Sequence, residues 1–119
     1  MQIRLFFDVF NSRQLVAGVN SAYTGEIKKL RRLAITELFP QLTKYKMLKH
    51  PPYKIQFTFY TTSDLDALTS TTISAYLIHC LEERIFQSSD SRVISKVEIK
   101  IRRILVKSKE GCLIDIFRA

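Results

Sequence analysis

The segment "YKIQFTFYT", residues 53–61, runs directly into "TSDLDALTSTTISAYLIHCLEERIF", residues 62–86. The first stretch alternates, with Ile55, Phe57 and Phe59 on one side and Lys54, Gln56, Thr58 and Tyr60 on the other. This is the two-residue period of a strand with one apolar face. In the second stretch the period changes. Leu68, Ile73, Tyr76, Leu77, Cys80, Leu81 and Ile85 cover one broad side of a helix, even though its Thr-rich first turn has poor helix propensity. A strand that passes straight into a long amphipathic helix buries both apolar faces most simply by packing the helix on a sheet.

The remaining segments extend that plan. "QIRLFFDVF", residues 2–10, predicts a first strand with Ile3, Leu5 and Phe7 on one face and Arg4, Phe6 and Asp8 on the other. "NSRQLVAGVNSAYTG", residues 11–25, holds two of the three glycines and reads as irregular. "EIKKLRRLAITELF", residues 26–39, predicts a helix from the stripe Ile27, Leu30, Ala34 and Leu38, and "PQLTKYKMLKHPP" is expected to break it at Pro40. "RVISKVEIKIRRILV" alternates through Val97, Ile99 and Ile101. After it, "KSKEG" reads as a turn and "CLIDIF" as a last strand, and the two strands are expected to form a hairpin. The reading is an α+β fold in the order β-α-β-α-β-β, a mixed sheet with helices packed on it, as one domain over residues 1–119.

Charge bears on partners. The chain has 19 Lys plus Arg against 11 Asp plus Glu, a net charge of +8, which favours a polyanion, nucleic acid before a membrane surface. Lys28, Lys29 and Arg32 fall off the apolar stripe of the first helix, and Lys44 and Lys46 flank Tyr45 in the basic loop after it. Together with Arg92, Lys96, Arg102 and Arg103 they form the candidate nucleic-acid-binding set. No run approaches the roughly 20 apolar residues of a membrane span. The expectation is a soluble, cytoplasmic protein without membrane contact. Cys80 and Cys112 lack metal-ligand spacing and read as reduced core residues. The three glycines stand singly, so no phosphate loop and no nucleotide cofactor is expected. Neither His50 nor His79 has a nucleophile setting.

The acids of "SDLDALTS" are the candidate chemistry. Residues two apart in an extended chain point the same way, so Asp64 and Asp66 can aim at one small volume past the strand end. That suits a hard cation such as Mg²⁺, which takes one or two carboxylates and keeps several waters. Asp66, one residue before Ala67, equally suits the N-cap of the helix. Asp90, in "QSSDSRV", reads as a turn residue among serines.

The stretch "DLDALTSTTISAYLIHCLEERIFQSSDSRVISKVEIKI", followed by "KEGCLIDI", resembles the RusA family of Holliday junction resolvases. That family's core reads D-x-D-N, a helix, an acidic loop, a strand and a closing hairpin. The resemblance covers the C-terminal half in detail and the first strand and "YTGEIKKLRRLAI" more loosely. It implies a homodimer that binds four-way DNA junctions and, with Mg²⁺, nicks two strands symmetrically. It also implies that Asp64, Asp66 and Asp90 are the catalytic, metal-holding acids. Ala67 stands where the family usually has asparagine, and Ser70 where it usually has a lysine. Arg92 and Lys96 are the nearest candidates to supply that positive charge. Two other readings are a RusA-like protein that binds branched DNA without cutting it, and a small RNA-binding or viral interaction module. Mg²⁺ dependence and preference for a junction over a duplex separate the three.

Overall fold

The computed structural model describes residues 1–7, 30–45, 48, 52–65, 67–86 and 93–118. Within them lie strand β1 (Gln2–Phe6), helix α1 (30–42), β2 (Tyr53–Thr61), helix α2 (Ala67–Arg84), β3 (Ile94–Arg103) and β4 (Gly111–Arg118). The order along the sheet is β1-β4-β2-β3. β4 runs antiparallel to both β1 and β2, while β2 and β3 are parallel, joined by α2 as a crossover. This is the mixed sheet with helices expected from the alternation of periods.

The pairing register puts Ile3 beside Ile114 beside Phe57, and Leu5 beside Cys112 beside Phe59. One face of the sheet is therefore apolar across its three innermost-packed strands. Leu30, Ala34, Leu38 and Leu42 of α1, spaced by four, and Ile73, Leu77, Cys80 and Leu81 of α2 join the same buried cluster. Both helices thus cover one face. At the helices' ends, Arg84 of α2 lies 4.2 Å from the ring centre of Phe39 in α1, a cation–π contact that ties them together. Burial pushes the thiols of Cys80 and Cys112 up from their ordinary values, so neither is an activated nucleophile, and both are free. Among the described residues no helix is long and apolar enough to cross a membrane.

Two local expectations are corrected. Pro40 does not break α1. Residues Ala34–Leu38 form a π-turn, in which the Phe39 N–H donates to the carbonyl of Ala34 five residues back, and the helix then continues over Phe39–Leu42. The wider turn just before Pro40 makes room for its ring and absorbs its missing donor. The second correction concerns the last two strands, which form no hairpin. β4 enters between β1 and β2, and among the described strands β3 pairs only with β2. β4 is buried along most of its length, as a central strand must be, and the connection 104–110, which contains a short 3-10 turn at Lys107–Lys109, is long enough to cross the end of β2.

The two edges of the sheet are treated differently. On the β1 side, Gln41 of α1 accepts from the Arg4 N–H (3.3 Å) and donates to the Arg4 carbonyl (2.7 Å), and so stands in for a neighbouring strand. Gln41→Ala would leave both backbone groups without that partner, and a loss of about 1–3 kcal/mol in denaturant unfolding is expected, larger than for exposed Thr36→Ala.

Candidate active end of the sheet

Because β1, β2 and β3 run the same way, their carboxyl ends meet at one end of the sheet, where β4 begins. Ligands of open sheets with parallel crossovers favour that end. The chain leaves β2 there through Thr62, Ser63 and Asp64 before α2 starts at Ala67.

This exit is held by three sets of contacts. The Thr61 hydroxyl donates to the Ser63 carbonyl (2.7 Å) and accepts from the Ser63 N–H (3.1 Å), a local turn of the kind Ser and Thr favour. Glu110, buried just before β4, accepts from the Thr62 N–H at 3.4 Å and from its hydroxyl at 3.2 Å. Arg103, the last residue of β3, donates through Nε to the Thr62 carbonyl (3.1 Å) and through Nη1 to Asp64 Oδ1 (2.6 Å). The result is an acidic side chain 87% exposed to solvent on a backbone that is not free to wander.

Among the candidate acids, Asp64 is placed at this end, and Asp66 and Asp90 lie outside the described residues. Lys28, Lys29, Lys46 and Arg92 lie outside them as well. Among the described residues no group of three or more His, Cys, Asp or Glu side chains is arranged to hold a metal ion. Asp64 by itself offers what a hard cation takes, an exposed carboxylate oxygen on a rigid turn.

The positive charge beside Asp64 comes from Arg103. Lys96 cannot supply it: seven residues earlier on β3, it stands roughly 23 Å away at about 3.3 Å per residue. There it joins Lys54 on Glu98 Oε1, at 3.1 and 3.3 Å, and the two ammonium groups hold the Glu98 carboxyl below its ordinary value. Ser70 does not take the place of a lysine either, since it is buried and its hydroxyl donates to the Ala67 carbonyl at 3.0 Å. Arg102 and Arg103 sit together at the end of β3, whereas Arg32 and Lys44 belong to α1 and the residues after it, toward the β1 side. The described part of the basic set is therefore split between two regions of the surface.

Glu110 was not singled out from the sequence. In "KSKEG" it looks like one more polar turn residue, and its partner Thr62 is 48 positions away. Its only signal is being the lone acid in a basic turn, directly before a glycine that opens a strand.

No protein-family model matches the chain, and neither a curated protein nor a solved structure matches it significantly.

Proposed function

We propose that the protein is a magnesium-dependent endonuclease that acts as a homodimer on four-way DNA junctions, nicking two strands symmetrically. The observation that carries this reading is the exposed Asp64 carboxylate at the carboxyl end of β2, gripped by Arg103 from the parallel neighbour β3. A net charge of +8 and the resemblance of residues 64–101 to the RusA resolvases support it further.

Asp64 would hold the cation, with Asp66 and Asp90 as the partners the resemblance implies. A bound divalent ion would supply an acidified water and stabilise the charge on the attacked phosphate. In the reaction the water oxygen bonds to phosphorus, one bridging P–O bond breaks, and the departing sugar oxygen takes up a proton. Arg103 fixes the direction of the Asp64 carboxylate and places a guanidinium beside the phosphate path, the charge the Ser70 position lacks. Thr62 and Glu110 hold the turn, so the carboxylate is set before substrate arrives.

The test is cleavage of an end-labelled synthetic four-way junction with Mg²⁺ and with a chelator, beside a linear duplex of the same sequence. Paired nicks at the branch point, absent in the chelator and absent from the duplex, are expected. Tight binding without nicks in Mg²⁺ would replace this reading with that of a branched-DNA-binding protein, and no preference for the junction would remove both.

A further inference from the structure

The face of the sheet away from the helices carries a stack that the cleavage reading does not use. Gly111 is paired with Phe6 on one side and with Tyr60 on the other. Lacking a side chain, it leaves a gap between two rings on the same face. The Arg4 guanidinium fills it, 4.6 Å from the Phe6 ring centre and 4.4 Å from that of Tyr60. Its Nη2 donates to the Lys109 carbonyl, and no carboxylate among the described residues pairs with it. An arginine set between two rings and a carbonyl is a fixed cation on this face.

Beside this stack opens a cavity of about 400 Å³, walled by Arg4, Tyr60, Leu105, Val106 and Lys109. Leu105 is 97% exposed and Val106 50%, so apolar surface stands open around a cationic floor, and among the described residues no acidic side chain lines the cavity. Lys100 and Arg102 on β3 pair with Thr58 and Tyr60, which places them on the same face. They stand two residues apart, about 6.6 Å along the strand. A flat ring, an apolar clamp and a line of cations leading to it are together complementary to a planar, π-rich group carried on a chain of phosphates.

We infer that this open face is a second binding site, which takes an unpaired nucleotide of a nucleic-acid strand with its base in the cavity against Tyr60 and Leu105. The neighbouring phosphates lie along Arg102 and Lys100. A base inside a duplex cannot enter, because both its faces are already stacked. This site does not depend on cleavage, but it adjoins the active end: Arg102 faces the cavity side while the next residue, Arg103, grips Asp64. An unpaired nucleotide at a branch point would therefore be held next to the exposed carboxylate.

The test is fluorescence anisotropy in a chelator, with labelled twelve-residue single strands dT12 and U12, the duplex dT12·dA12, and inorganic polyphosphate as competitor. Single strands should bind at least tenfold more tightly than the duplex. Base stacking contributes about 1–3 kcal/mol per base, roughly 5- to 150-fold in affinity. Tyr60→Ala should lose about that factor and Tyr60→Phe should keep the wild-type value. Leu105→Asp, at a fully exposed position that cannot harm the fold, should lose about tenfold and serves if Tyr60→Ala does not fold. The chelator prevents metal-dependent cutting, so that failure of the nuclease reading leaves this result readable. Tighter binding of dT12 than of U12 identifies DNA as the source of the nucleotide, and the reverse identifies RNA. Equal affinity for single strand and duplex, or an unchanged affinity in Leu105→Asp, overturns the site as charge attraction alone.

Discussion

Gly111→Ala should destabilise the protein by about 3–5 kcal/mol, a large part of the roughly 5–15 kcal/mol a domain of this size has. Gly111 has φ +147°, a backbone conformation that side-chain-bearing residues rarely adopt, and a Cβ built there would stand 2.0 Å from the Leu5 carbonyl oxygen and 2.9 Å from its carbon. Both obstacles are backbone atoms of the paired strand, so no rotamer change relieves them. The rarely adopted φ and the overlap with β1 apply together, and each costs on the order of 1–3 kcal/mol. Thermal unfolding should fall by roughly 10–20 °C. Ser108→Ala, three residues earlier and exposed, should change stability by no more than about 0.5 kcal/mol. A Gly111→Ala protein as stable as wild type would mean that β4 does not approach β1 as closely as described.

Asp64→Asn should abolish junction cleavage, by about a thousandfold or more, while leaving both junction affinity and stability near wild type. The stability half follows from exposure. The Asp64 side chain is 87% exposed and the Arg103 side chain 61%, and such surface pairs contribute only about 0–1 kcal/mol. Asparagine keeps the size and one acceptor oxygen, so the Arg103 contact persists in weaker form and the turn stays closed through Thr61 and Glu110. The three readouts are gel cleavage, anisotropy on the uncut junction and urea unfolding. Joint loss of cutting and folding would assign Asp64 a structural part. Unchanged cutting would move the chemistry elsewhere.

The edge strand β3 bears on the dimer in that reading. Val97 and Ile101 share the apolar face of β2, through the pairs Ile55–Val97 and Phe59–Ile101, yet both remain exposed, at 41% and 44%. From the sequence their alternation looks like that of any half-buried strand. How much of an apolar face is covered depends on where the helices lie, and that position is set by residues far away in the chain.

The same distinction runs through the whole molecule. β2 spans the residues read as a strand, 53–61, and α2 begins at Ala67 as expected, because alternation and helical spacing are local patterns that each segment carries in itself. The placement of Asp64 at a strand end ahead of a helix was legible for the same reason. The route of β4 was not: a turn-like "KSKEG" between two strands reads as a hairpin, and only the competition among all four strands for central, doubly paired positions sends β4 between β1 and β2. Nor was the survival of α1 through Pro40, which depends on a shift in hydrogen bonding within the preceding turn. Local patterns in the chain were enough to find the strands and helices, their apolar faces and the acid at the end of β2. The tertiary structure alone decided that Arg103, 39 residues away, is the cation beside that acid, that Glu110 holds its turn, and that Arg4 lies between Phe6 and Tyr60. Each of these is a contact between distant segments, whose geometry arises only once the sheet has chosen its strand order.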